Sequence, residues 1–312
     1  MTVDPGNIAT RDAGANLPPL VLNTALLGTA PMGRKLELAA ASGFTGVEVW
    51  LHEVAPDMLT DADAAELEAR FGITADRAPL DTAGLLSGAR RLGLAFDGLL
   101  PAADAMTRWS HALDDALIKR FAGMLDVAVT LGCRYLVLPT VTTTGTLGDV
   151  AGSLGELAGI ARERGVRLGL EPIGHSPVMS TVAQALTVLE RSGAGPEEAG
   201  IVLDAFQFFR AGQSLTDLAP LAPGQIAAVQ INDAIDLPRE ALFGNRHRDY
   251  PGHGIFDVAG FCAAVLALGH DGPFAVEIIN PALMAQPPKV TSREAFRSSA
   301  GVLQGAAASV AA

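Results

Sequence analysis

Short runs rich in aliphatic residues alternate with helix-like runs along most of the chain. Such alternation favours parallel strands joined by crossover helices. Eight strand–helix units in 312 residues fit a closed barrel better than an open sheet. We therefore predict an α/β fold, a single-domain (β/α)8 TIM barrel. The predicted strands are residues 20–28, 46–51, 92–99, 134–139, 166–172, 200–206, 226–233 and 274–280.

The third strand has a competitor, because residues 72–80 are also β-like and precede 92–99. Helical patterns lie between the strands, and several of them are followed by glycine, the usual residue at a left-handed helix end. We expect residues 19–304 to form the barrel, with flexible tails at 1–18 and 305–312. The predicted helices are residues 34–42, 112–131, 147–164, 182–191 and 258–268.

The composition excludes several classes of protein. Hydrophobic residues make up 49% of the chain and charged residues 18%, which excludes a wholly disordered chain. The net charge of −12 opposes binding to nucleic acid or to an anionic membrane surface. Only Cys133 and Cys262 are present, and we find neither a signal-peptide pattern nor a membrane-length apolar run. We expect a soluble cytoplasmic protein.

The predicted strands of the second half carry polar residues in a regular position. In residues 166–172, Leu168 and Leu170 share one face, whereas Glu171 lies on the other. The three later strands repeat this pattern, with bulky aliphatics on one face and a polar residue near the C-terminal end of the other. Barrel enzymes place their chemistry at that end. We therefore expect four side chains to converge there: Glu171, Asp204, Gln230 and Glu277.

Three carboxylates in one small volume repel one another unless a cation or a proton neutralises them. A divalent metal does this directly, and an all-oxygen set of ligands suits a hard ion such as Mn²⁺ or Mg²⁺. The alternative is a set of polar plugs that bind strand ends and water. We favour the metal, because the four residues share strand face and height.

Six runs, in order, carry a family resemblance. The chain resembles the xylose-isomerase-like sugar phosphate isomerase/epimerase family over residues 20–297. The resemblance implies a (β/α)8 barrel with one divalent metal at the C-terminal mouth, held by the four residues above, and a substrate-contacting Arg248. The runs are GFTGVEVW (43–50), GLEP (169–172), LDAFQFF (203–209), VQIND (229–233), RDYPGHGIFD (248–257) and GPFAVEI (272–278).

The chain departs from the family pattern at three positions. Gln207 and Gln230 stand where the family usually has histidine, and His253 stands where it usually has an acidic residue. An amide oxygen can still bind a hard metal, and a branch resembling 3-dehydroshikimate dehydratases uses glutamine at the position of Gln230. We expect Mn²⁺, with Mg²⁺, Co²⁺ and Zn²⁺ as alternatives.

The resemblance and the expected geometry predict an isomerase or epimerase that acts on a small keto-sugar or polyhydroxy ketone. A metal that binds the carbonyl would acidify the adjacent C–H and stabilise the resulting enediolate. Glu171 and Glu277, expected on opposite arcs of the barrel, would serve as bases. The alternative is a lyase: a dehydratase of a 3-dehydroshikimate- or inosose-type keto-polyol, or β-elimination from a 3-keto-glycoside.

The remaining polar residues are candidates for substrate binding. Arg248, Gln207 and His253 would contact the substrate and Trp50 would form the pocket floor, whereas His175 is either a substrate contact or a surface histidine. We interpret Glu48 as a structural plug. A DNA-repair role resembling endonuclease IV needs a histidine-rich metal cluster and a basic surface, so we reject it. We expect neither nucleic-acid nor membrane partners, and a homo-oligomer stays open.

Overall fold

Eight parallel strands form a closed barrel in the computed structural model, which describes residues 17–73, 77–78, 80–101, 103–111, 113–141, 144–244 and 246–311. Leu20 on the first strand pairs with Phe274 on the last, which closes the barrel. The predicted TIM barrel is confirmed. The barrel strands are β1 (Leu20–Asn23), β2 (Gly46–Trp50), β3 (Ala95–Leu100), β4 (Tyr135–Pro139), β5 (Arg167–Glu171), β6 (Ala199–Asp204), β7 (Ile226–Ile231) and β10 (Phe274–Val276), and an antiparallel pair, β8 (Asp233–Ala234) and β9 (Arg248–Asp249), precedes β10.

The third strand is β3, as the preferred prediction of 92–99 required. It lies between β2 and β4, with Gly46 opposite Ala95 and Gly98 opposite Tyr135. The competing segment 72–80 falls partly outside the described residues, and the third place in the barrel is already filled.

Several strands end earlier than predicted, and in two of them a polar side chain caps the turn that follows. Asn23 accepts a hydrogen bond from the Ala25 backbone, so β1 gives way to a 3₁₀ turn instead of continuing to residue 28. Asp204 accepts one from the Gln207 backbone at 2.8 Å, so β6 ends there and a short helix begins. Both caps place polar side chains at the barrel mouth.

Helices cover the outside of the barrel. The predicted segments 34–42, 112–131, 147–164, 182–191 and 258–268 correspond to α1, α6, α7, α8 and α10 below, with shifted ends. The helices are α1 (Met32–Ser42), α2 (Leu51–Val54), α3 (Asp61–Phe71), α4 (Thr82–Arg91), α5 (Ala103–Arg108), α6 (Asp115–Leu131), α7 (Leu147–Arg162), α8 (Val182–Ser192), α9 (Ala205–Arg210), α10 (Val258–Ala267), α11 (Pro281–Met284) and α12 (Pro288–Ala311), with 3₁₀ turns at Thr24–Leu27, Pro56–Met58, Leu215–Leu218, Pro223–Gln225 and Arg239–Ala241. In the described ranges, none of them is both long and apolar enough to cross a membrane.

The predicted tail at 305–312 is wrong for residues 305–311, which continue α12. This helix packs on α1 and α10, and Leu303 and Ala306 are buried against them. Its Phe296 ring lies edge-on to Phe44 at 5.3 Å. A β-carbon at Gly43 would lie 2.6 Å from the Phe296 ring, so glycine is required there for close packing as well as for its φ of 109°.

The two faces of the strands separate as the alternation predicted. Leu136, Leu168 and Val229 point outward into the core beneath the helices. Tyr135 and Val202 point inward, with other inner side chains. The aliphatic residues of one strand face thus pack outside, and the inner face combines bulky side chains such as Trp50 and Tyr135 with the polar groups of the mouth.

Candidate active site

Three carboxylates meet at the C-terminal mouth of the barrel. Glu171 ends β5, Asp204 ends β6 and Glu277 directly follows β10. One oxygen from each lies within 4.8 Å of the others, and all three side chains are buried. The strand parity in the sequence predicted this convergence. We call these three residues the acidic cluster.

Gln230 lies on β7 between the strands that carry the acidic cluster. It pairs with Asp204 on β6 and with Ala275 on β10. Its Nε2 donates to both carboxylate oxygens of Glu48, at 3.1 and 2.9 Å. Its Oε1 is buried and accepts no hydrogen bond from any described residue. An unpartnered buried carbonyl oxygen costs about 1–3 kcal/mol, so this oxygen fits the role of a ligand.

The donor set fits a hard divalent cation. Three carboxylates and one amide oxygen are the ligand types that Mg²⁺ and Mn²⁺ prefer, and two or more negative charges would be neutralised. Glu171, Asp204, Gln230 and Glu277 would hold the ion. This is the ligand set that the sequence predicted, and it stays a proposal.

Arg248, on β9, supplies positive charge to the acidic cluster. Its Nη1 donates to Asp204 Oδ2 at 2.6 Å and lies 3.1 Å from Glu277 Oε2. Its Nε donates to the Gly244 carbonyl at 2.7 Å, and its guanidinium carbon lies 5.3 Å from the centre of the Phe206 ring. One guanidinium balances one of three carboxylates, so the cluster keeps an excess of negative charge.

Burial and mutual repulsion shift the acid strength of the two glutamates. Burial, reinforced by the charges of Glu277 and Asp204, raises the pKa of Glu171 well above its usual range. Burial raises the pKa of Glu277 to about 8, although Arg248 acts in the opposite direction. Without a metal, protons therefore occupy these positions more readily than in an exposed carboxyl.

The three carboxylates differ in how firmly they are held. Asp204 accepts hydrogen bonds from Arg248, from the Gln207 backbone and from Asn232 Nδ2 at 2.8 Å. Glu277 Oε1 accepts one from Asn23 Nδ2 at 3.2 Å. Within the described ranges, no residue donates a hydrogen bond to the carboxylate of Glu171, which leaves its lone pairs available.

Residues 36–303 match the family model described as xylose isomerase-like TIM barrel. The chain belongs to that family. A curated relative, 3-dehydroshikimate dehydratase from Pseudomonas aeruginosa, is 29% identical over 282 residues, which are 89% of this chain and 40% of the dehydratase. Inosose isomerase from Bacillus subtilis is 29% identical over 189 residues, or 58% of this chain and 66% of the isomerase. The chain thus spans less than half the length of the dehydratase.

Solved structures share this xylose isomerase-like fold. The IolI protein with a bound zinc atom aligns with a TM-score of 0.75 at 22% identity, over 91% of this chain and 98% of its own. L-ribulose 3-epimerase aligns with a TM-score of 0.68 at 18% identity, over 95% and 97%. At these identities the likeness shows the fold.

Glu171 and Glu277 were expected on opposite arcs of the barrel. Their strands lie three places apart around the eight-stranded ring, with β6 and β7 between them, and four places is the largest separation that such a ring allows. One carboxylate oxygen of each lies within 4.8 Å of the other in the acidic cluster. That the two glutamates act on different sides of one substrate carbon stays a proposal.

The other predicted substrate contacts divide into two groups. Trp50 is buried inside the barrel, where its Nε1 donates to Asn23 Oδ1 at 3.0 Å, and Gln207 is buried and accepts a hydrogen bond from the Gly174 backbone at 3.0 Å. His175 is exposed. His253 is 41% exposed, and its Nε2 lies 3.4 Å from Glu294 on α12. Trp50 thus contacts Asn23, which donates to Glu277, and the Gln207 backbone donates to Asp204. His253 instead contacts an outer helix.

Sequence reasoning missed three residues that support the acidic cluster. Asn23 joins Glu48 to Glu277, Tyr135 donates to Glu48 at 3.0 Å, and Asn232 holds Asp204. Asn232 directly follows β7, so the rule that identified the cluster could have found it, whereas Asn23 lay inside a strand predicted to continue to residue 28. Tyr135 begins its strand, and no such signal points to it.

Proposed function

We propose that this chain is a divalent-metal-dependent isomerase or epimerase that acts on a small keto-sugar or polyhydroxy ketone. One observation carries the proposal: three buried carboxylates lie within 4.8 Å of one another beside a buried, unpartnered amide oxygen. The family and the name of the inosose isomerase relative support this class of reaction. We propose Mn²⁺ as the ion, with Mg²⁺, Co²⁺ and Zn²⁺ as alternatives.

A bound divalent cation would polarise the substrate carbonyl and so acidify the neighbouring C–H. Glu171 is placed to accept that proton, because no described residue donates to its carboxylate and its pKa is raised by burial. Glu277 is the second candidate base, held in place by Asn23 and Arg248. Because their strands lie three places apart around the barrel, one carboxylate on each face of the substrate carbon would catalyse an epimerisation, and transfer by one of them would catalyse a keto–aldo isomerisation.

Arg248 is proposed to bind the substrate at the rim of the acidic cluster. Its Nη1 and Nε are already engaged, and its planar guanidinium can present a further donor to a hydroxyl or carboxylate group. Gln207, Trp50, His175 and His253 stay proposed substrate contacts. Of these, His253 has the weakest support, because it faces Glu294.

A second candidate function is dehydration of a cyclic keto-polyol. The P. aeruginosa dehydratase matches 89% of this chain, whereas the isomerase matches 58%. The first step is the same, removal of the proton next to the carbonyl. The carbanion then expels a hydroxyl group on the next carbon, and this group leaves as water after it accepts a proton.

Incubation in D₂O separates the two functions. Metal-loaded protein would be given a panel of ketoses, inososes and 3-dehydroshikimate, and the products would be read by NMR. Deuterium at the α-carbon of an isomerised, intact skeleton supports the isomerase, and an unsaturated product supports the dehydratase. If the metal-loaded protein neither exchanges deuterium nor forms product with any of them, both proposals are wrong.

We also propose a cytoplasmic enzyme without a nucleic-acid partner. The net charge of −12 and two buried, unpaired cysteines support this. Whether it forms a homo-oligomer stays an open prediction.

A further inference from the structure

Glu48 is a buried carboxylate beneath the acidic cluster, and three different side chains donate to it. It lies on β2 and is fully inaccessible to solvent. Asn23 donates to Oε2 at 2.7 Å and Tyr135 to Oε1 at 3.0 Å, and Gln230 donates to both oxygens. The donors are all neutral side chains. Together they supply four hydrogen bonds to the two carboxylate oxygens.

The contact with Glu48 decides which end of the Gln230 amide points toward it. A carboxylate only accepts hydrogen bonds, so the amide must present its NH₂ group. If the amide were reversed, its oxygen would face the Glu48 oxygens at about 3 Å and two hydrogen bonds would be lost, at about 0.5–1.5 kcal/mol each. The Gln230 oxygen therefore stays on the side of the amide away from Glu48.

That oxygen is the unpartnered atom described above. Gln230 pairs in register with Asp204 and with the strand that leads to Glu277, so the amide lies between two members of the acidic cluster. Of the two ends of a glutamine amide, only the oxygen is a metal ligand, so the end that faces the site decides whether Gln230 can bind the ion.

We propose that Glu48 is a positioning residue that holds the Gln230 amide with its oxygen directed to the metal site. This inference rests on the proposed metal site. Glu48 touches neither ion nor substrate in this scheme; it determines the orientation of one ligand. It also links Gln230 to Glu277 through Asn23, whose Nδ2 contacts both carboxylates.

The test is Mn²⁺ affinity, measured by calorimetry on the metal-free chain. Glu48→Gln keeps the shape but lets the Gln230 amide turn over, and loss of an outer-shell partner typically weakens metal binding about 10- to 100-fold. Tyr135→Phe is the matched control, because it removes one donor to Glu48 but leaves both contacts with Gln230. We expect its affinity to stay close to that of the wild type.

A second substitution distinguishes orientation from general structural support. In the Glu48→Gln background, Gln230→Glu provides two equivalent oxygens, so orientation no longer matters and Mn²⁺ affinity should recover. In the wild-type background the same change should not tighten binding, because one of two facing carboxylates must protonate. Equal tightening in both backgrounds would mean that added charge alone explains the recovery, and would overturn the inference.

A measurement on the wild type covers the case in which Glu48→Gln does not fold. The side-chain NH₂ protons of Gln230 should exchange slowly by NMR in the metal-free protein and stay slow after Mg²⁺ is added. Rapid exchange, or an affinity unchanged in Glu48→Gln, would overturn the positioning role alone. A wild-type chain that binds no Mn²⁺ would overturn the metal site and this inference together.

Discussion

The two halves of the barrel differ in how fully the buried polar side chains at their centre are hydrogen-bonded. In the half made by β1–β4, Glu48, Asn23 and Trp50 are joined by hydrogen bonds that pair each side chain. In the half made by β5–β7 and β10, one guanidinium contacts two of the three carboxylates, and the Gln230 oxygen has no donor among the described residues. The named side chains of the first half are thus paired within the protein. Those of the second half keep negative charge and an acceptor oxygen for the proposed cation.

The largest expected effect comes from removing two charges from the second half. The double variant Glu171→Gln with Asp204→Asn should lose measurable Mn²⁺ binding, because two of the three anionic ligands are gone while the barrel core is untouched. Calorimetry and elemental analysis measure the binding, and circular dichroism checks the fold. Glu156→Gln, at an exposed position on α7, is the control. Tight binding by the folded double variant would show that the acidic cluster is not the metal site.

Neutralising one glutamate at a time tests whether each of them acts as a base. We expect metal-loaded Glu171→Gln and Glu277→Gln each to wash out α-deuterium about 10²- to 10⁴-fold more slowly, because an amide cannot accept the proton. Metal content must be measured beside the rate. Normal washout in metal-loaded Glu277→Gln would leave Glu171 as the base and Glu277 as a ligand alone.

Substitutions at Gln230 test the residue that connects the two halves, because it donates to Glu48 in one half and pairs with Asp204 in the other. Gln230→Leu should weaken Mn²⁺ binding by more than the roughly 10- to 100-fold cost of losing an outer-shell partner, because it removes a ligand and two donors to Glu48. Gln230→His should retain a metal but shift preference toward Zn²⁺, since imidazole is a softer ligand. Competition between Mn²⁺ and Zn²⁺ measures both. An unchanged affinity in the Leu variant would place Gln230 outside the ligand set.

Arg248 should affect the substrate more than the metal. Arg248→Lys keeps one positive charge beside Asp204 and Glu277 but loses the planar set of donors. We expect kcat/KM to fall about 10- to 100-fold, the equivalent of one hydrogen bond to a charged group, while metal content stays intact. Loss of the metal in this variant would instead show that Arg248 is needed to hold the carboxylates of the acidic cluster in place.

The sequence was most informative where the two-residue alternation within strands and the order of strands and helices point to the same place. Alternating strands and helices predicted the barrel, and two-residue parity placed Glu171, Asp204 and Glu277 at one mouth. It was least informative about pairings across the barrel: Tyr135 reaches Glu48 from 87 positions away, and only the closed barrel with Gly98 beside the ring makes the contact possible. The small residues after 304 resembled a tail, but the helix continues through them to Ala311, with Ala306 buried.

The smallest expected effect is the pH dependence of stability that Glu171 and Glu277 contribute. The pKa of Glu277 is raised from 4.5 to about 8, and that of Glu171 is raised in the same direction. Between these two pH values the folded, metal-free chain therefore binds more protons than the unfolded chain. The free energy of unfolding contributed by these groups is then complete below about pH 4.5 and is lost as the pH rises through about 8. Urea unfolding of metal-free protein between about pH 5 and about pH 9 measures this, with the variant Glu171→Gln plus Glu277→Gln as reference. The difference in stability between wild type and variant should shift against the wild type as the pH rises. Saturating Mn²⁺ should reverse the slope for the wild type, because binding requires the deprotonated carboxylates. A difference that is the same at every pH would show that these carboxyls keep their ordinary acid strength in the folded chain.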